Sequence, residues 1–307
     1  MFGSKSKNSD TGATGEENSV SDGNRPEWKI LEKVALASVV EQRKARRWGI
    51  FFKTLTFAYL FVIVGLMVPR TGDHGLGGAG EEHVGLVEVN GLIAAEQPAN
   101  ANDIVGALRE AFESEHSVGV ILAINSPGGS PVQAGYVNDE IYRLKALHPE
   151  KKVYAVIADL GASGGYYIAS AADEIYADKA SLVGSIGVIS AGFGMSGLMQ
   201  KIGVDRRVYT AGESKNFLDM FSPEQEADRE FWQGVLQTTH KQFIDVVKRG
   251  RGDRLLDDPD IFSGLLWTGE QAVSNGLIDG LGSVGYVARE VIGTEDIRDY
   301  TVVVNPW

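Results

Sequence analysis

The chain has 307 residues, with 29 Lys and Arg against 41 Asp and Glu, and no cysteine. That length allows one large domain or two ordinary ones, and a formal charge of -12 argues against a nucleic-acid surface, which is normally basic. Without cysteine, disulfides, thiolate zinc sites and a cysteine nucleophile are excluded; the five histidines (His74, His83, His116, His148 and His240) show no metal-ligand spacing, so neither a metal nor another cofactor is expected.

Residues 1–27 are rich in Ser, Gly, Asn, Asp and Glu and nearly free of large apolar side chains. Such a composition buries too little surface to offset its ordering entropy and reads as a disordered tail. From Trp28 to Val40 the apolar residues recur at helical spacing, which predicts an amphipathic helix within a juxtamembrane stretch, 28–47, that ends in Arg43, Lys44, Arg46 and Arg47. Residues 48–68 are apolar except for Lys53, Thr54 and Thr56. Twenty-one helical residues rise about 31 Å, the thickness of a bilayer's hydrocarbon core. The basic cluster precedes this span, which predicts a single-pass anchor with a cytoplasmic N-terminus and the rest of the chain on the outer side. The polar stretch ahead of it is far longer than a signal peptide's n-region and no A-x-A follows, so the anchor is expected to stay uncleaved. Residues 69–83, with five glycines between 72 and 80, read as a flexible linker.

A globular domain is expected over 84–307. Runs rich in Val, Ile and Leu predict strands at 84–93, 117–124 and 152–158, then at 173–178, 183–189, 205–210 and 299–304. Helical patterns fall at 102–114, 131–147 and from Pro223 to Arg249. This alternation predicts an α/β fold. Lys248-Arg249-Gly250-Arg251-Gly252 looks basic, but cations in a last turn followed by glycine describe a helix end.

Three segments place small residues directly after a strand pattern. Asn125-Ser126-Pro127-Gly128-Gly129-Ser130-Pro131 combines glycines with a capping serine and an N1 proline, so backbone N–H groups are left free to hold a developing negative charge. Gly161-Ala162-Ser163-Gly164-Gly165 satisfies G-x-S-x-G, the turn that exposes a nucleophilic serine between strand and helix. Tyr166 and Tyr167 follow it and either line a pocket or pack the helix against the sheet. A serine hydroxyl needs a base, and His240 alone among the histidines follows Ser163; its polar neighbours mark a solvated helix face. Thr210-Ala211-Gly212-Glu213-Ser214-Lys215 offers a lysine instead, and a lysine desolvated in an apolar site can lose its proton and act as a base.

The N-S-P-G-G turn, the A-S-G-G-Y-Y turn, the V-G-S-I-G-V run at 183–188 and the A-G-E-S-K loop, in that order, resemble the bacterial signal peptide peptidase A family in its short single-domain form. The resemblance covers roughly 84–292, including the segment from Trp267 to Asp279. It implies a crotonase/ClpP-type fold of repeated ββα units, a Ser163 nucleophile and a Lys215 general base. It also implies that Ser185 orients the lysine, and that Gly164 with Gly128 or Gly129 supplies an oxyanion hole. The implied substrates are remnant signal peptides and other apolar segments, cleaved at a bacterial cytoplasmic membrane by a homo-oligomer whose subunits share active sites.

Two other readings stay open at this stage. An α/β-hydrolase esterase would use Ser163 with His240, and a non-catalytic membrane scaffold would use the same domain only to oligomerise. A ClpP-like protease needs a histidine about 25 residues beyond the serine, where this chain has Gly187, Val188 and Ile189, so that version fails.

Overall fold

The computed structural model describes residues 33, 46, 48–63 and 81–302. The expectations for 1–27, for most of 28–47 and for the linker 69–83 up to residue 80 lie outside the described residues. Residues 48–63 form helix α1, in which Thr54 and Thr56 return their hydroxyls to the carbonyls of Ile50, Phe51 and Phe52. Their polarity is thereby satisfied inside the helix. No helix among the described residues is long and apolar enough to cross a membrane. Residues 64–68 of the expected span lie outside the described residues. Helix α1 belongs to a unit separate from the rest of the chain.

The larger unit opens with three strand–helix pairs: β1 (His83–Asn90) and α2 (Ala101–Glu113), β2 (Ser117–Ser126) and α3 (Pro131–Leu147), then β3 (Lys152–Ala162) and α4 (Gly164–Ala169). Short strands β4 (Glu174–Ala177) and β5 (Leu182–Gly184) follow, then helices α5 (Ser196–Ile202) and α6 (Glu226–Arg251). The chain closes through β6 (Leu266–Thr268), α7 (Gly269–Ser274), β7 (Gly280–Leu281) and β8 (Ile297–Asp299). All eight strands share one sheet, parallel at every pairing except β5 with β6. A parallel sheet needs cover on both faces, and β2 shows it. Val120, Leu122 and Ile124 enter the main core, while Ile121 points to a second cluster with Val84, Tyr154, Val156 and Val287.

Helix starts match the capping residues. Asn100 accepts from the Asp103 N–H at 3.0 Å, and Ser130 accepts from the Gln133 N–H at 3.3 Å ahead of Pro131. The structure corrects three expected strands. The one at 183–189 stops at Gly184, because Ser185 turns to a φ of 49°. The one at 205–210 is no strand: those residues are exposed and have no ladder partner. The one at 299–304 lies earlier, as β8 beside β1.

The feature that positions the site is a break in register along β3. Ile124 pairs with Ile157 but Ser126 pairs with Gly161, so β3 spans four residues where β2 spans two. Such a bulge bends the strand. Before it β3 pairs with β4, and after it with β5. The end of β3 is thereby carried toward the C-terminal edge of β5, in the crevice where ligands of open parallel sheets sit.

Candidate active site

Strand β3 ends at Ala162, and Ser163 occupies the N-cap of α4 with φ 52° and ψ -120°. Positive φ is uncommon for a residue with a β-carbon and persists only where surroundings over-determine it. Here the Ser163 N–H donates to the Gly184 carbonyl at 2.8 Å, and its own carbonyl accepts from Tyr167 at 2.9 Å. Below the turn, fully buried Tyr166 donates its hydroxyl to the Leu277 carbonyl at 2.6 Å. Asn138 of α3 donates to the Tyr167 carbonyl at 2.8 Å. The two tyrosines therefore divide the expected roles: Tyr166 packs in the core and Tyr167 faces the cleft. Burial first, and the nearby Asp139 charge second, push the Tyr167 phenol pKa up.

The N-S-P-G-G turn lies directly against Ser163. A β-carbon added at Gly128 would sit 2.5 Å from the Gly164 nitrogen and 2.6 Å from Ser163 Cβ. One added at Gly129, where φ is 149°, would overlap the Ile93 carbonyl oxygen. The turn is pinned to Ile93, whose N–H donates to Gly128 and whose carbonyl accepts from Ser130. The Gly128 N–H is already committed to Ser126 Oγ at 3.0 Å. In contrast, the N–H groups of Gly129 and Gly164 donate to no protein acceptor among the described residues. They lie close together, because a β-carbon on Gly164 would come within 3.3 Å of the Gly129 nitrogen. Two adjacent free donors beside a serine hydroxyl form a place for an anionic oxygen.

Ser163 opens into a cleft of about 440 Å³. One wall is a face of α3 carrying Val132, Gly135, Tyr136 and Asp139; the opposite wall is Thr239, Gln242 and Phe243 of α6. Gly187, Val188 and Ile189 close a third side, and the Tyr167 and Phe243 rings meet at 5.1 Å. Asp139 is the single carboxylate or cation in this lining. Sequence reasoning missed these wall residues, although positions 132, 135, 136 and 139 fall on one helical face just after the glycine turn.

Ser185 lies beside Ser163, one residue past the Ala162–Gly184 pair, with its N–H donating to the Leu265 carbonyl at 2.8 Å. Lys215 is elsewhere: it is exposed, sits in a turn where its N–H donates to Gly212, and does not line the cleft. Nor does it follow a strand, as expected from 205–210. Its segment packs on itself and on α6, with Phe217 edge-on to Phe231 and Trp232 and Arg206 paired with Asp219 at 2.8 Å. His240 is half-buried rather than solvated, and its Nε2 lies 3.1 Å from the Ile186 carbonyl. That contact occupies the nitrogen on the loop behind Ser185.

The end of α6 is a helix end as expected, with Gly252 capping at φ 55°. Its basic residues are engaged with neighbouring side chains: Lys248 lies over the Phe262 ring. Arg251 is buried and pairs with Asp279 at 2.7 Å, and the Arg249 guanidinium lies 3.7 Å from the Tyr142 ring centre.

Residues 145–297 match the model of Peptidase family S49. Over 237 residues the chain is 32% identical to the "Putative signal peptide peptidase SppA" of Enterococcus faecium, covering 74% of this chain and 67% of that protein. It is 31% identical to Protease 4 of Haemophilus influenzae, over 72% of this chain and 36% of that one. It is also 51% identical to a Brucella melitensis protein named Na(+)/H(+) antiporter NhaA, over 61% of this chain, and spans only a quarter of that protein's length. A serine on a strained strand-to-helix turn beside two free N–H donors, in a mainly parallel α/β sheet, thus coincides with these matches, and the chain belongs to peptidase family S49.

Proposed function

We propose that the chain is a membrane-anchored serine endopeptidase that cleaves apolar peptides, remnant signal peptides among them, through a Ser163–Lys215 dyad. The observation that carries this reading is the placement of Ser163, at positive φ, beside the unused N–H groups of Gly129 and Gly164 on the floor of a largely apolar cleft. Ser163 Oγ loses its proton to neutral Lys215 Nζ and attacks the peptide carbonyl carbon. The carbonyl oxygen becomes the oxyanion and accepts from Gly129 and Gly164. Lys215 then returns the proton to the leaving amine as the C–N bond breaks. Water, deprotonated by the same lysine, hydrolyses the acyl-enzyme and restores Ser163. Gly128 acts in this scheme through shape, bringing the turn against Ser163, because its own N–H is used internally. Ser185 orients the lysine from its place beside Ser163.

Lys215 reaches a Ser163 in this reading through assembly. The segment that carries it exposes Phe193 (81%), Tyr209 (91%) and Ile202, and Ile189 (87%) stands at the rim of the cleft. Apolar exposure of that extent favours burial against a second copy. Such burial would also supply the desolvation a lysine base requires. The domain plan belongs to the same reading: anchor 48–68, linker 69–83, and a peptidase domain from 84 of the crotonase/ClpP type. The anchor holds that domain on the outer face of a bacterial cytoplasmic membrane, and the basic residues before 48 support the orientation.

The experiment is cleavage of an apolar signal-peptide substrate by the full chain in detergent, with a serine-directed covalent probe as a second readout. Ser163→Ala is expected to lower cleavage about a thousandfold or more and to abolish labelling. Lys215→Ala is expected to lower cleavage by about 100-fold or more. Full activity of Lys215→Ala, or loss of activity in His240→Ala alone, would overturn the dyad.

A further inference from the structure

The cleft beside Ser163 is apolar on the walls supplied by Val132, Val188 and Phe243, yet one carboxylate stands in it. Asp139 lies on the same face of α3 as Val132 and Tyr136, two turns beyond the oxyanion turn. The two cations of α3 are engaged elsewhere: Arg143 pairs with Glu140, and Lys145 pairs with Asp173. Among the described residues Asp139 takes part in no ion pair and no side-chain hydrogen bond. Asp139 is solvent-exposed, as are Val132 and Tyr136 on the same helix face, so it lines the cleft at its open rim. An exposed carboxylate without a partner at the rim of an apolar cleft is free to pair with a cation that arrives with the ligand, a contact of the modest strength of surface ion pairs.

We propose that Asp139 is a specificity-determining residue that selects peptides carrying a Lys or Arg at one fixed distance from the scissile bond within an otherwise apolar stretch. The inference rests on the peptidase reading of this same cleft. Helix geometry sets the distance. Eight residues from Pro131 to Asp139 rise about 12 Å, and an extended peptide advances about 3.3 Å per residue. A basic side chain roughly three to five residues from the bond, on one side of it, therefore meets the carboxylate. The surrounding apolar walls take the uncharged residues between.

The test uses the full chain in detergent and a set of apolar peptides in which one Lys is walked through the five positions on each side of the bond. Each Lys peptide is compared with its norleucine and Glu counterparts. Cleavage is read as kcat/KM in the native protein, and binding as fluorescence anisotropy in Ser163→Ala, so that selection is measured with and without chemistry. A single position is expected to favour Lys over norleucine by up to about fivefold. Asp139→Asn is expected to bring that ratio close to one, Asp139→Glu to keep it, and Asp139→Lys to invert it toward the Glu peptide. Because the readout is a ratio between peptides, a general loss of folding in a variant does not imitate it. Equal treatment of Lys and norleucine at every position, or an unchanged ratio in Asp139→Asn, overturns the proposal while leaving Ser163-dependent cleavage standing. Lys selection in binding with no Ser163-dependent cleavage of any peptide overturns the peptidase reading and leaves the role of Asp139 standing.

Discussion

Ser163 and Ser185 each stand one residue beyond a paired couple of strand ends, Ala162 of β3 and Gly184 of β5, and both turn there to positive φ. The Ser163 N–H donates to the Gly184 carbonyl, so the two serines are held in register by backbone rather than by side chains. A bulge in β3 creates this pairing by moving the strand from β4 to β5. The consequence is that backbone geometry around these serines is over-determined, and small changes there should be felt in chemistry before they are felt in folding.

Gly128 and Gly129 test that statement. Gly129→Ala forces a β-carbon onto the Ile93 carbonyl, and Gly128→Ala forces one between Gly164 and Ser163. Each is expected to lower kcat by about 100-fold or more through displaced oxyanion donors, with about 1–3 kcal/mol of stability lost to strain. Gly106→Ala in α2 meets nothing within 4 Å and is the control. It should gain about 0.5–1 kcal/mol and keep its kinetics. Peptide cleavage and denaturant melts on the three variants check this.

Subunit mixing tests where Lys215 acts. If each site takes Ser163 from one copy and Lys215 from a neighbour, an equal mixture of Ser163→Ala and Lys215→Ala chains regains activity on exchange. With random assembly about one site in four is intact, so about a quarter of native activity is expected. A mixture that stays as inactive as its components places both residues of a working site in one chain.

Arg251 concerns the frame behind the cleft. Its buried guanidinium donates to the Gly276 carbonyl at 2.9 Å and to Asp279, whose carboxylate also accepts the Ile175 N–H. Arg251→Leu leaves Asp279 with only Arg254 and a backbone donor. Breaking a buried pair on one side is expected to cost about 2–4 kcal/mol. Burial pushes the Asp279 carboxyl pKa up, but the Arg251 guanidinium, with the Ile175 N–H and Arg254, outweighs it and holds the group below the usual carboxylate range. Replacing Arg251 should therefore raise its pKa. Thermal melts and the Asp279 carboxylate NMR titration give the two readouts.

Glu140 supplies a pH dependence. A hydrogen bond from Arg143, reinforced by Arg109 and opposed by burial, lowers its pKa from 4.5 to about 2. A depressed folded pKa means that the unfolded chain binds the proton more readily. The stabilisation is thus complete above about pH 4.5 and is lost as pH falls toward 2. Both arginines are half exposed, so screening reduces the effect to about 1–2 kcal/mol. Denaturation of Glu140→Gln and the native protein should differ by that amount at pH 7 and converge near pH 2. A constant difference across that range would show that Glu140 acts by packing alone.

Much of the architecture was legible along the chain because it depends on local chemistry. The span of α3 could be read because Ser130 caps it, Pro131 opens it and its apolar positions repeat at helical spacing. The turns at Gly128 and Ser163 could be read because each places small residues directly after a buried, β-branched run. By itself the sequence determined the sheet's long strands, the order of the motifs and the absence of any thiol chemistry. Only the tertiary structure decided the rest. It stopped the 183–189 strand at Ser185, removed the 205–210 strand for want of a partner, and half-buried His240 against Ile186. It also chose Gly129 over Gly128 as a free donor, because Gly128 is already bonded to Ser126. The wall residues Tyr136 and Asp139 of α3 lie about a hundred positions before Phe243 of α6, and no local pattern joins the two helices. Their meeting depends on how α3 and α6 pack over the end of β3, and such long-range contacts carry no short-range signal.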